Sequence, residues 1–200
     1  MAATSSTTVP TPTKMQQEGA PRSWYRDGFF ISTDKAYLSP VAVNDVFKSD
    51  LMWWNDPLDV AQMTKMINNC LTFAVYSVPD TEEEMKNNGG FPCDSSLADL
   101  TLVGFARLVT DYVTFAYLTD VFILEAFQRR GLASLMMRCI KETVDTWPEL
   151  RGLVLMTHDK AAARMYQREL GALDFDKGPS AGLVLLEMPG GGVKDLPEDH

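Results

Sequence analysis

Between positions 132 and 147, apolar side chains recur at steps of three and four: Leu132, Leu135, Met136, Cys139, Ile140, Thr143, Val144 and Trp147. That spacing lines them along one side of a helix of about four turns. Arg130, Arg138, Lys141 and Glu142 fall off the stripe, and Pro148 stops the helix. Residues 153–156 (Leu-Val-Leu-Met) then form a continuous apolar run, the pattern of a parallel strand covered on both faces. Upstream, residues 100–109 and 114–124 read as strands joined by a turn at 110–113. Strand, turn, helix and buried strand together make a right-handed βαβ unit.

The flanking pattern is less regular. Residues 1–22 are rich in Ser, Thr and Pro and poor in large apolar groups, so they predict a disordered tail. Residues 29–33 predict the first strand. Ser39-Pro40 and Asp56-Pro57 each look like a helix start, a polar cap followed by proline in the first helical position. The second helix should run to Asn69 with Val60, Met63, Ile67 and Cys70 on one face. A strand over 71–78 follows, then a polar insertion over 79–98 that reads as a long loop. Residues 161–170 predict a helix ended by Gly171, and residues 183–186 (Leu-Val-Leu-Leu) a closing strand. The expected organisation is one α/β domain over 23–189, flanked by tails at 1–22 and 190–200. Its sheet should be mixed and mainly antiparallel, with one parallel strand pair and helices on both faces.

Composition narrows the function classes. A formal net charge of −9 disfavours a nucleic-acid binder and tilts slightly toward a cationic substrate. Cys70, Cys93 and Cys139 are too few for a disulfide framework and lack zinc-ligand spacing, so a reduced, metal-free, cytoplasmic protein is expected. No apolar run reaches the roughly 20 residues of a membrane span. Oligomeric state is not legible.

The chemistry lies in residues 128–134, Gln-Arg-Arg-Gly-Leu-Ala-Ser, between a strand and the long helix. The first turn of a helix presents unpaired N–H groups and the positive end of the dipole, which suit a phosphate. Gly131 leaves room for close approach, and Arg129 and Arg130 add charge-assisted bonds.

Gln128 to Ala133 resembles the Gln/Arg-x-x-Gly-x-Gly/Ala motif of the GNAT superfamily of N-acetyltransferases. Residues 120–124 resemble its fourth strand. Residues 162–166 (Ala-Ala-Arg-Met-Tyr), followed by Leu170-Gly171, resemble its second motif. The resemblance implies acetyl-CoA as co-substrate, its pantetheine arm along Val121, Phe122 and Ile123, and its pyrophosphate on Gln128, Arg129, Arg130, Gly131, Leu132, Ala133 and Ser134. It implies Tyr166 as the acid that protonates the departing thiolate. The acetyl group would pass directly to a primary amine in a ternary complex. The acceptor stays open among a small polyamine, an amino acid, an antibiotic-like amine and a protein N-terminus or lysine, with the acidic balance tilting slightly to a small molecule. A non-catalytic acyl-CoA-binding sensor or interaction module on the same fold is the alternative. The sequence departs from the family pattern at Arg129, where glycine is common, at Glu125, where proline is, at Asp159, where asparagine is, and at Ala172, where an aromatic residue is.

Asp120 is a lone carboxylate within an apolar strand, read as sharing a face with Leu118 and Phe122. It is either the base or anion that handles an ammonium substrate, or a structural bond to a neighbouring loop. Glu125 is the rival base. Trp53 and Trp54 either pack in the core or wall the acceptor site, as does Tyr117. His158 reads as structural and Cys139 as an inert core thiol.

Overall fold

The computed structural model describes residues 20–89, 92, 99–188, 190 and 192. Most of both expected tails lies outside these residues. The first chain segment makes a hairpin, β1 (Ser23–Arg26) with β2 (Phe29–Ser32). Asp27 and Gly28 both take positive φ, 50° and 80°, at its two-residue turn. Asp-Gly at that spacing is a strong hairpin signal, and β1 is a strand the sequence pattern left out.

Helix α1 (Pro40–Phe47) starts as expected, with the Ser39 hydroxyl accepting from Ala42 N–H. Helix α2 (Val60–Asn68) does not start at Asp56-Pro57. Its cap is Asp59, whose carboxylate accepts from Gln62 N–H at 2.8 Å. The buried Asn44 side chain explains the delay. It donates to Leu58 C=O at 2.7 Å and accepts from Leu58 N–H at 2.9 Å, which holds that segment out of helical geometry. Met63, Ile67 and Cys70 are buried as expected, whereas Val60 in the first turn is exposed.

Strand β3 (Leu71–Ser77) leads into the polar insertion, which is not a bare loop. Helix α3 (Glu82–Asn87) forms there under a capping box. Thr81 N–H donates to Glu84 at 2.7 Å, Glu84 N–H donates to the Thr81 hydroxyl, and Met85 is buried. Strands β4 (Thr101–Thr110) and β5 (Phe115–Ile123) form the central hairpin. The Asp111 carboxylate accepts from the N–H groups of Val113, Thr114 and Phe115 and from the Thr114 hydroxyl. These bonds lower its pKa well below the usual carboxylate range.

Helix α4 (Leu132–Val144) ends before Trp147, and its buried stripe includes Met137 while Leu135 is only half-buried. Strand β6 (Gly152–Leu155) and helix α5 (Lys160–Leu170) complete the fold. Asp159 caps α5 by accepting from Ala161 and Ala162 N–H, and Gly171 ends it at φ 71°.

The six strands lie in chain order, antiparallel except for the parallel pair β5–β6. One face packs Ile31, Phe73, Leu108, Leu118 and Ile123 against Met136, Ile140 and Tyr166 of α4 and α5. The other packs Phe30, Tyr76, Phe105 and Phe122 against Val43, Phe47, Met63, Ile67 and Met85 of α1, α2 and α3. Two expectations fail at the C-terminal edge. Residues 183–186 form no strand and are 57–85% exposed. Strand β6 is therefore the sheet's edge, half-buried rather than covered on both faces, and Met156 is exposed.

Candidate functional site

The ladder between β5 and β6 pairs Phe115 through Leu118 with Gly152 through Leu155, and among the described residues it stops there. Beyond Leu118, β5 runs on to Ile123 without a β6 partner. Val121, Phe122 and Ile123 therefore lie where β5 has left its β6 partner, as expected for a segment that a bound chain could join.

Just past the last β6 pair, β5 carries a bulge against β4. Phe105 pairs with Phe122 and Arg107 with Thr119, so Ala106 alone stands opposite Asp120 and Val121. Asp120 sits in the bulge at φ 51°, left-handed backbone that few residues other than glycine adopt. The extra residue switches the alternation of the strand. Leu118 packs on the α4 face and Phe122 on the α1–α2 face, so they do not share the face assigned to them with Asp120. Asp120 points toward the α1–α2 side, the side that also carries Arg107.

There its carboxylate, 4% exposed, is fully engaged. One oxygen accepts from Arg107 Nε. The other accepts from Asn55 Nδ2 at 3.1 Å and from the Thr119 hydroxyl at 3.3 Å. The structural bond to a neighbouring loop, one of the two readings of this residue, is present. Neither Arg107 nor Asn55 was singled out from the sequence. Arg107 had a signal, a lone charge in an apolar strand opposite the strand bearing the lone Asp120.

That loop carries both tryptophans, after a single 3-10 turn at Asp50–Met52. Trp53 and Trp54 meet edge to face at 5.7 Å, and the Trp53 ring lies 5.3 Å from the His158 ring. Trp54 packs partly into the α1–α2 core. Trp53 thus spans from the β5 side to the end of β6, and His158 belongs to this site. Tyr117 lies inside the paired part of the ladder, opposite Val109 and Val154, half-buried and on the Arg107 face. Glu125 is exposed in a short turn beyond the strand.

At the helix entrance, Gly131 takes φ 77° and Arg129 φ 61°. A Cβ at Gly131 would meet nothing within 4 Å, so glycine is needed there for its backbone conformation rather than for space. Gly131 is the N-cap of α4 and provides no side-chain cap, so no side chain takes the first-turn N–H groups from this position. This suits the pyrophosphate of coenzyme A. Arg130 lies over the Phe127 ring at 5.3 Å. The Gln128 amide donates to Ile123 C=O at 2.9 Å, shaping the turn from within. The Ser134 hydroxyl accepts from Arg168 at 3.0 Å, tying α4 to α5.

Tyr166, 8% exposed, opens onto a groove of about 730 Å³ that it lines with Val154, Met156, Thr157 and Ala163. Burial, with a smaller contribution from the Asp159 charge, pushes its hydroxyl up to about 12.

The acetyltransferase (GNAT) family model matches residues 60–172, which include the bulge, the turn and Tyr166. The chain belongs to the GNAT family of acetyltransferases. It is 32% identical over 173 residues to a Gibberella zeae protein named as a presumed acetyltransferase, covering 85% of this chain and 95% of that one. A presumed GNAT acetyltransferase from Xanthomonas campestris is 27% identical with a TM-score of 0.56, over 82% of this chain and 94% of that one. A GNAT-family acetyltransferase from Streptococcus pneumoniae shares the fold at 14% identity and a TM-score of 0.51, over 80% and 98% of the two chains. The mixed six-stranded sheet with one parallel pair is thus the sheet of this family. Among the described residues, no group of three or more His, Cys, Asp or Glu could hold a metal ion, and no helix is long and apolar enough to cross a membrane.

Proposed function

We propose that this GNAT acetyltransferase transfers acetyl from acetyl-CoA to a small primary amine, with both substrates bound together. The observation that carries this reading is an α4 N-terminus without a side-chain cap following a β5 segment that runs on past its β6 partner, with the largely buried Tyr166 on the helix after β6. Acetyl-CoA, when bound, supplies the activated thioester carbonyl. The first-turn N–H groups of α4, with Arg129 and Arg130, would hold its diphosphate. Those N–H groups of residues 121–123 that face away from β4 would hold the pantetheine arm and face the charge that develops on the carbonyl oxygen.

The neutral amine nitrogen forms the new C–N bond as the C–S bond breaks, and Tyr166 gives its proton to the leaving sulfur. With its hydroxyl pushed up to about 12, Tyr166 stays protonated throughout the neutral range. The Asp120 carboxylate, engaged on both oxygens, takes no proton in this scheme; the ammonium proton leaves to solvent. Transfer through an acetyl-cysteine is disfavoured. Cys139 is buried, and burial pushes its thiol up to about 12. The acidic balance and the tryptophan-lined entrance favour a cationic small molecule as acceptor.

Tyr166→Phe should lower kcat for CoA release by about a hundredfold or more while CoA binding by calorimetry stays intact. An unchanged kcat would remove Tyr166 from the mechanism. Wild-type kcat/KM should rise with pH as the substrate amine deprotonates, with no fall from Tyr166 ionisation up to pH 10, its ordinary value. If CoA binds and a panel of amines yields no acetylated product, the chain is a CoA-binding module.

A further inference from the structure

The Arg107–Asp120 pair holds more than each other. Its side chains are 19% and 3% exposed, and both lie on the α1–α2 side of the sheet at the bulge. On one flank, Asp120 accepts from Asn55, 65 residues earlier in the chain. Asn55 is also fixed by its own N–H, which donates to Met52 C=O at 2.8 Å. Trp53 lies between those two anchored positions, with its ring against His158.

On the other flank is Cys70, at the start of β3. Its thiol donates to Met66 C=O at 3.1 Å, at the C-terminal end of α2. Burial raises the Cys70 thiol's pKa, and the nearby Arg107 charge opposes this. The ion pair therefore holds the chain just before α2 and lies near enough to Cys70, just after α2, for its charge to be felt there. The left-handed Asp120 backbone is the strained element that aims the carboxylate at this junction.

We propose that Arg107, Asp120 and Asn55 form a positioning network that pins residues 53–55 across the opening between β5 and β6, and so determines how well the acceptor amine is held. Asp120 in this role acts through the loop and not on the reacting atoms. The kinetic part of the proposal rests on the acetyl-transfer reading. A base at this position would change the rate of the chemical step and its pH dependence. A pin changes the binding of one substrate only.

The test compares Asn55→Leu with Asp120→Asn. Asn55→Leu removes the amide donor at similar volume and carries no titratable group. Each should raise KM for the amine about tenfold or more, with kcat within about threefold and KM for acetyl-CoA unchanged. The kcat/KM pH profile should keep its shape. The double variant should be little worse than the worse single, because both remove one shared bond. A hundredfold fall in kcat for Asp120→Asn, with loss of the pH dependence and a silent Asn55→Leu, would overturn the proposal and make Asp120 the base. Should Asp120→Asn fail to fold, Asn55→Leu carries the test alone, and an unchanged amine KM sinks it.

A second readout needs no turnover. Trp53 emission, isolated by comparison with Trp53→Phe, should be quenched by its ring contact with His158, and Asn55→Leu should weaken that quenching. Quenching unaltered in Asn55→Leu would overturn the pin even if the protein acetylates no amine. Quenching lost in a protein that acetylates nothing would leave the pin standing and remove only the acetyl-transfer reading.

Discussion

The turn at residues 128–134 follows the end of β5 and the loop at residues 53–55 is tied to its bulge, yet they are held by opposite means. The turn is shaped locally. Its Gln128 amide reaches back five residues to Ile123 C=O, and its geometry comes from two left-handed residues at a helix start. The loop is shaped at a distance, by a hydrogen bond to Asp120 across 65 residues and a ring contact with His158. A locally built element keeps its shape when the core is perturbed. One pinned at long range depends on contacts with distant parts of the chain, here Asp120 and His158. With acetyl-CoA at the turn and the amine beside the loop, as proposed, the donor side should be robust and the acceptor side adjustable.

The strongest way to break that contrast is Arg107→Met. It leaves the Asp120 carboxylate buried without its cation, a loss of about 3–5 kcal/mol for a broken buried pair. Denaturant unfolding would measure it. A cost under about 1 kcal/mol would mean that the pair is hydrated and does not anchor the sheet. Any folded variant should lose amine binding before CoA binding.

The same contrast explains what the sequence made legible. The turn could be read because phosphate recognition at a helix start needs only neighbours in the chain, and Gly131, Arg130 and the apolar stripe from Leu132 are all local. The parallel pair was readable for a similar reason, since the βαβ unit that makes it is continuous in the chain. The bulge was not readable. Strict alternation placed Asp120 with Leu118 and Phe122, and one extra residue in β5 reversed that assignment. The delayed start of α2 depended on Asn44, 14 residues before Leu58, and outweighed a good local cap at Asp56-Pro57. Two local signals were there to be used: Asp27-Gly28 for the first hairpin and Thr81-x-x-Glu84 for the capping box of α3. Residues 183–186 looked like a strand from their apolar content alone, but content names no partner, and β6 remains an edge.

On the turn side, Gly131→Ala should have a smaller effect than loss of the ion pair. Its Cβ meets open space, so the cost is conformational, about 1–2 kcal/mol for a non-glycine residue in left-handed backbone. The melting temperature should fall by several degrees, and CoA affinity should drop as the first-turn N–H groups tilt. Amine KM measured at saturating acetyl-CoA should not move. If it does, the two sides are coupled and the contrast is wrong.

The smallest effect sharpens the comparison most, because it should separate stability from binding at one residue. Arg129 adopts φ 61°, a conformation that costs an L side chain about 1 kcal/mol and glycine almost nothing. Its side chain is exposed, so it contributes little packing that could offset that strain. Arg129→Gly should therefore raise the melting temperature by a few degrees, less a fraction lost to the freer unfolded chain. If the guanidinium is held there to meet a diphosphate, the same change should weaken CoA binding severalfold and flatten the salt dependence of that binding, since one phosphate contact is lost. A rise in stability with unchanged CoA affinity would mean the arginine serves neither the fold nor the cofactor. A fall in stability would mean that the left-handed turn is held by the arginine side chain, making the turn as dependent on a particular contact as the loop at residues 53–55.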